Sequence, residues 1–383
     1  MADASGKGLE GVVAAQTGIS DVDCRQGRLF YAGYDIADLA ANATFEETIY
    51  LLHHLELPTA AQLEETVATL RAESTLDPLL VELVASLAER TGPMTILRTA
   101  VSAAAAIDPD DDDSDQANLR KAYRLIARTP QIIATYQRLR AGGDAIEPRD
   151  DLGVAANFLY ALTGKQPDPQ VARDFDVVLV LYADHTLNAS TFAGRVAAAT
   201  LADMYAAATA AVATLQGPLH GGAIEGVREM LEDIGSPDRA PDWVRGHLAA
   251  KRKVMGFGHR VYKTWDPRAT VLREIAERLG RQFGDSRWFE TSVRVQETVM
   301  EAKSLYPNVD FYTASVYSAL GLPPDLYTPL FAAARMAGWT AHIREQYADN
   351  RLIRPDSEYV GPDPRPWTPL EDRGSTQASS AVS

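Results

Sequence analysis

Residues 44–62 read TFEETIYLLHHLELPTAAQ, and two helix starts are written in them. Thr44-Phe45-Glu46-Glu47 has the form of a capping box, a hydroxyl at the N-cap with a carboxylate three residues on, and it leads into an apolar helix through Leu55. Thr59-Ala60-Ala61-Gln62 repeats the device for the next helix. Helical patterns then follow one another at about 77–90, 94–107, 116–140, 150–163, 168–183 and 189–215. Beyond a sharp break at Gly217-Pro218 come shorter ones near 223–233, 241–250, 267–282, 287–304 and 309–320. Gly321-Leu322-Pro323-Pro324 breaks the chain again before a long helix near 328–347. Short β-like runs, Val12–Ala15 and Leu29–Tyr34, precede all of this, and nothing later reads as a sheet. The fold class is therefore all-α, with minor β-structure near the N-terminus. The two breaks divide the helices: residues 1–217 and 325–383 are expected to form a large helical domain, and 218–324 a small inserted one.

At 383 residues the chain can bury two cores. Its longest apolar runs, Val177–Ala183 and Ala206–Leu215, fall short of the roughly 20 residues that span a bilayer. The opening MADASGKGLEGV lacks a charged segment followed by an apolar one. A lone Cys24 excludes an internal disulfide and a four-cysteine zinc site. A reducing cytoplasm is the expected compartment, with no membrane partner.

The formal charge is −15, and of 37 basic residues seven are lysine, at positions 7, 121, 165, 251, 253, 263 and 303. Lysine scarcity beside abundant aspartate suggests a salt-adapted surface, and a codon bias would give the same trend. The acidic balance argues against a nucleic-acid partner. It also makes any local basic cluster informative. The alanine-rich stretch 189–215 reads as a helix packed closely on several sides, at a subunit contact. Asp108-Pro109-Asp110-Asp111-Asp112-Asp113-Ser114-Asp115 lacks the glycine and terminal glutamate of a calcium loop and reads as a solvated helix connection.

Chemistry concentrates in Gly256–Arg268, GFGHRVYKTWDPR, whose apolar residues follow neither a helical nor a strand period. Gly256 and Gly258 permit unusual backbone shapes and close ligand approach. Pro267 suits a first helical turn with Asp266 near its N-cap, which puts His259 and Lys263 on a loop and Arg268 at a helix start. His185 in ADHTLNAS, His220 in GPLHGGA and His259 sit in polar or glycine-flanked settings at helix ends, whereas His53, His54, His247 and His342 lie within helices and read as structural. Asp310, in YPNVDFYTAS, falls in the first turn of a helix that Asn308 can cap. It is either a carboxylate stabilised by the helix dipole or a base whose pKa an apolar pocket holds near working range. Arg335 sits in a largely apolar helix and wants a carboxylate partner. Together with Arg268 and Arg354 in RLIRP it suits a di- or tricarboxylate ligand.

ADHTLNAS, GPLHGGA, GFGHRVYKTWDPR, NVDFYTAS, the Arg335 helix and RLIRP, in this order over nearly the whole chain, resemble the citrate synthase family, in the shorter dimeric form of archaea and many bacteria. The resemblance implies a two-domain helical fold and a Claisen condensation of acetyl-CoA with oxaloacetate, followed by hydrolysis of citryl-CoA. It implies that Asp310 takes a proton from the acetyl methyl, that His220 stabilises the enol or enolate, and that His259 polarises the oxaloacetate carbonyl and serves as acid. His185, Arg268, Arg335 and Arg354 would hold oxaloacetate, with Arg354 arriving from the partner of a homodimer. Lys251, Arg252, Lys253, Lys263 and Lys303 would meet the phosphates of coenzyme A. No cofactor or metal is implied beyond the thioester substrate. One departure is Ala32 in LFYAGYDI, where the family commonly has arginine; it is expected to affect local packing more than chemistry.

Three other readings compete. A 2-methylcitrate synthase would use propionyl-CoA, since one methylene is worth only about 1–3 kcal/mol in a pocket. A metal hydrolase is disfavoured because His185, His220 and His259 show no short ligand spacing and the arginines would repel a cation. A noncatalytic helical binding protein would be indifferent to loss of Asp310.

Overall fold

The computed structural model describes residues 7–9, 11–259, 261–262 and 264–373. The strands are β1 (Ser20–Asp23), β2 (Arg28–Tyr31) and β3 (Tyr34–Asp35). The helices that follow are α1 (Ile36–Asn42), α2 (Phe45–His54), α3 (Ala60–Ala72), α4 (Pro78–Leu87), α5 (Pro93–Ala104), α6 (Asp115–Arg140), α7 (Val154–Thr163) and α8 (Pro169–Tyr182). After these come α9 (Ala189–Ala198), α10 (Met204–Leu215), α11 (Ala223–Ile234), α12 (Ala240–Ala249), α13 (Pro267–Phe283), α14 (Arg287–Lys303), α15 (Val309–Ala319) and α16 (Tyr327–Ala348). The chain forms two compact units, Met1–Arg351 and Leu352–Ser383. The all-α expectation holds. Both capping boxes form, with Thr44 and Glu47 exchanging bonds at α2 and Thr59 and Gln62 at α3.

The strands make a small antiparallel sheet in the order β1-β2-β3, with Ser20 opposite Tyr31 and Phe30 opposite Asp35. Val12–Ala15 is not a strand, contrary to the sequence reading. Val13 is 87% exposed, so the run has no face to bury, whereas Leu29 and Tyr31 of β2 are fully buried. Ala32 lies in the turn after β2 with φ of 45°.

The expected long helix over 189–215 is interrupted. Leu201 adopts φ of 63°, and Asp203 caps α10 by accepting from the Ala206 amide at 2.9 Å. The uniform alanine composition hid this, while Asp203 was the signal for it. α9 and α10 then pack against each other and against α16. The acidic run before α6 is charge-balanced rather than merely solvated. Arg124, itself buried, reaches Asp108 at 2.6 Å and Glu73 at 2.8 Å, and Lys121 reaches Asp113 at 3.2 Å.

α16 is buried almost all round, as a helix wrapped by others must be, and it contacts α2, α5, α6, α8, α9, α10 and α11. α11 to α15 pack largely on one another, with α13 also meeting α1 and α8. Close approach at the centre depends on Gly338 of α16, whose amide donates to the Ala183 carbonyl at 3.1 Å. A Cβ there would lie 2.4 Å from both that carbonyl and Asp184 Oδ1. Gly338→Ala should therefore cost roughly 1–3 kcal/mol or more in chemical denaturation, because backbone has to move. Gly246→Ala, in α12 with nothing within 4 Å of the added methyl, should instead stabilise by about 0.5–1 kcal/mol.

Candidate active site

Two loops distant in sequence are stitched together beneath the site. Phe257 bridges Pro307, the Gly258 amide donates to the Tyr306 carbonyl at 3.0 Å, and the Asn308 amide donates to the Gly256 carbonyl at 2.9 Å. Asn308 has two further duties. Its Oδ1 caps α15 by accepting from the Asp310 amide, and its Nδ2 donates to the Gly258 carbonyl, each at 3.1 Å. Gly256, at φ of 79°, is required twice over, since a Cβ would sit 2.8 Å from Phe311. His259 and Asp310 are thereby carried on one rigid junction.

Asp266 locks α13 to α15. It caps α13 through the Arg268 amide at 3.1 Å, grips the Arg268 side chain at 3.0 and 2.8 Å, and accepts from the Val309 amide at 3.1 Å. Arg268 and Asp266 are both buried. This pairing was not foreseen: it commits Nε and Nη2 of Arg268 to Asp266 and leaves Nη1, among the described residues, without a hydrogen-bond partner. Asp310 is only half-buried, yet the protein around it raises its pKa to about 6, chiefly by desolvation and against a hydrogen bond from the Tyr182 hydroxyl at 3.1 Å.

The histidines are kept neutral. His259 Nδ1 accepts from the Val261 and Tyr262 amides at 3.0 and 3.2 Å, which fixes its proton on Nε2. Burial and then the Arg268 charge lower its pKa to about 4. His185 shares a 3.2 Å bond with the Tyr262 hydroxyl and lies 5.2 Å, ring to ring, from His259. Its burial, followed by Arg268, His259 and Arg335, holds it well below the ordinary histidine value. His220, between α10 and α11, has its pKa lowered to about 4 by burial and then Arg335, and its Nε2 is 2.8 Å from Ser190 Oγ. Ser190 in turn accepts from Trp339 Nε1 at 3.1 Å.

Phe331 ties these parts together: its ring meets those of Tyr182 at 4.7 Å and His220 at 6.0 Å, and the Arg335 guanidinium stacks on it at 4.7 Å. Arg335, fully buried in α16, donates from Nε to the Tyr182 carbonyl at 2.7 Å. Both of its Nη groups make no protein hydrogen bond among the described residues. Behind His185, Arg195 donates to His342 Nδ1 at 3.2 Å, so His342 carries its proton on Nε2 and donates to Asp184 Oδ2 at 3.3 Å. Its structural reading therefore stands, as a support for the His185 loop.

His185, His220, His259, Arg268, Asp310 and Arg335 are thus brought together. Lys251, Arg252 and Lys253 are exposed just after α12, and Lys303 is exposed at the end of α14. Lys263 lies outside the described residues. Arg354 belongs to the second unit, exposed and 3.6 Å from Asp356. Among the described residues no group of His, Cys, Asp or Glu is placed to hold a metal, and no helix is long and apolar enough to cross a membrane. The sequence reading missed Tyr182, Ser190, Trp339 and Tyr262. Ser190 and Tyr262 stood inside the quoted motifs and Tyr182 directly beside one, but their roles lie in contacts across long sequence separations.

An all-α scaffold that gathers a carboxylate, neutral imidazoles and buried guanidinium groups is that of an enzyme of acid–base chemistry. The chain belongs to the citrate synthase family: the family model described as "Citrate synthase, C-terminal domain" matches residues 8–356. It is 49% identical to citrate synthase 2 of Bacillus subtilis, over 96% of this chain and 99% of that protein. With the citrate synthase of Haloferax volcanii it shares 48% identity, over 96% and 98%. The solved ternary complex of carboxymethyl coenzyme A and oxaloacetate with the Thermoplasma acidophilum enzyme superposes with a TM-score of 0.90 at 34% identity, covering 96% of this chain and 99% of that one. Proteins named 2-methylcitrate synthase match as well, at 41% and 43% identity.

The carboxylate form of Asp310 is lost as pH falls through about 6, whereas His220 and His259 stay neutral down to about 4. Between these values kcat/KM should fall tenfold per pH unit, the slope of a single ionisation. A slope of one hundredfold per unit in that window would show a histidine titrating alongside.

Proposed function

We propose that the site carries out the citrate synthase reaction, forming citrate and coenzyme A from acetyl-CoA, oxaloacetate and water, with the following division of labour. A thioester methyl is too weak an acid for a carboxylate alone, so proton removal needs a donor at the developing oxyanion. Asp310 takes the methyl proton, and the electron pair of that C–H bond moves into the enolate. His220 donates to the enolate oxygen. That role needs the proton of the neutral imidazole on Nδ1, and so needs the one Ser190 hydroxyl proton turned to His220 Nε2, 2.8 Å away, instead of to Asn188 Oδ1, also in reach at 2.7 Å; Trp339 occupies one of the Ser190 lone pairs.

The enolate carbon then attacks the oxaloacetate carbonyl, whose oxygen is hydrogen-bonded by His259 Nε2–H and receives a proton as the C–C bond forms. The fixed tautomer of His259, set beside His185 and Arg268 and stitched to the base, is the observation that carries this reading. His185, Arg268, Arg335 and Arg354 bind the carboxylates of oxaloacetate, with Arg354 supplied across a homodimer interface. Residues 218–324 act as a small mobile domain that closes over oxaloacetate and keeps water from the thioester until condensation is complete. The chain breaks at Gly217-Pro218 and Gly321–Pro324, with Gly321 at φ of 69°, support that placement of the hinges. Lys251, Arg252, Lys253, Lys263 and Lys303 meet the coenzyme A phosphates, and nothing in the scheme calls for a cofactor besides the thioester.

A coenzyme A release assay with oxaloacetate tests the reading. Asp310→Ala should lose 10²–10⁴-fold or more in turnover while retaining the parent thermal midpoint. Acetyl-CoA should give the higher kcat/KM, and a clear preference for propionyl-CoA would reassign the donor. Ser190→Ala should lower kcat far more than it raises KM for oxaloacetate, because it removes the hydroxyl beside His220 Nε2 and leaves Arg268 and Arg335 untouched.

A further inference from the structure

Tyr182, the last residue of α8, has one hydroxyl proton and two oxygens in reach of it, Asp310 Oδ1 at 3.1 Å and Thr313 Oγ1 at 3.0 Å. Thr313 returns no proton to this trio, because its own hydroxyl donates to the Val309 carbonyl one turn back at 2.8 Å. Asp310 and Thr313 therefore compete for a single donor. The competition depends on the charge of Asp310, since a carboxylate attracts a hydroxyl proton far more strongly than a neutral threonine oxygen does.

We propose that Tyr182 is a positioning residue for the base: its hydroxyl holds Asp310 as the carboxylate before proton transfer and turns to Thr313 once Asp310 has been protonated. The inference rests on the reading of Asp310 as the base. During the exchange the substrate C–H bond breaks, its proton resides on Asp310, and its electron pair enters the enolate. The Tyr182 proton stays on its oxygen and only rotates about the C–O bond. After rotation the tyrosine oxygen is free to accept from the new carboxylic acid. The newly formed acid thus meets an acceptor instead of an opposed donor.

No neighbour duplicates this function. Asp310 is faced by Asp266 and Arg268 at the start of α13, Arg335 from α16, Tyr317 from its own helix and Tyr182 from α8. The arginines are permanent cations, and Asp266 is held by Arg268. Among the described residues Tyr182 makes the one side-chain hydrogen bond to Asp310. Burial, and then the Asp310 charge, keep the Tyr182 phenol well above its usual pKa, so it stays a donor throughout the working range.

Two substitutions should move the acid limb of kcat/KM in opposite directions. Tyr182→Phe removes the donor to the carboxylate and should shift the limb upward by about one pH unit, a tenfold loss at pH values below it. Thr313→Val removes the rival acceptor, commits the hydroxyl to Asp310 and should shift the limb downward, with a lower plateau kcat because the base is weaker. Thr313→Ser keeps the acceptor and should restore the parent profile. Unfolding midpoints close to the parent's would exclude a folding defect, and the carboxyl ¹³C shift of Asp310, assigned with Asp310→Asn, reports its titration without reference to turnover. Limbs that stay put, or move in the same direction in both variants, together with an unmoved carboxyl titration, would overturn the proposal. A carboxyl titration that shifts in opposite directions while the kinetic limb stays fixed would uphold the hydroxyl exchange and overturn the reading of Asp310 as the base.

Discussion

The site depends on the carboxylate of Asp266. This one buried group caps α13, holds the guanidinium of Arg268 in a two-pronged grip and accepts the first amide of α15. Its bonds run in two directions, so the start of α13 and the start of α15 cannot move apart without leaving a buried charge uncompensated, a loss of roughly 3–5 kcal/mol when one partner of such a pair is removed. Arg268 and Asp310, each the second residue of its helix, are fixed relative to each other by that constraint. The Phe257–Pro307 bridge extends the same junction to His259.

Electrostatics then assign protonation states without further machinery. Desolvation is the leading cause at every group: it raises Asp310 and lowers His185, His220 and His259. Arg268 and Arg335 act on top of it in a consistent sense. Their positive charge pushes the imidazoles further toward neutrality and pulls the carboxylate back toward ionisation. The same two cations therefore favour uncharged imidazoles and an ionised Asp310 at once.

Much of this was legible in the sequence where the signal was local. The capping boxes, the Asp266 and Asn308 caps, the glycines around His259 and the breaks at 217 and 321 all follow from a few adjacent residues and short-range backbone chemistry. What could not be read depends on residues far apart in the chain. Tyr182 meets Asp310 across 128 positions and Trp339 meets Ser190 across 149, and nothing in either neighbourhood announces the partner. Composition misled in one place, where continuous alanine between 189 and 215 concealed the Leu201 turn and the Asp203 cap. Val12–Ala15 misled for a related reason, since strand-forming residues make a strand only where a partner edge and a buried face await them.

Helix geometry explains why the site forms where it does. Ser190 is in the first turn of α9, His220 precedes α11, Arg268 begins α13 and Asp310 begins α15, so the N-terminal ends of these helices meet. Each end carries about half a positive charge from its unsatisfied amides, which favours anionic ligands and developing oxyanions over any positively charged species. α8 runs the other way and brings its C-terminal end, with Tyr182, into the same place. Its exposed carbonyl would oppose that field, and Arg335 answers it by donating Nε to the Tyr182 oxygen. That bond leaves the outer edge of the guanidinium facing the site and holds the backbone of the residue whose hydroxyl touches Asp310. The exceptional helix end is thus the one that links the Arg335 guanidinium to the Asp310 carboxylate.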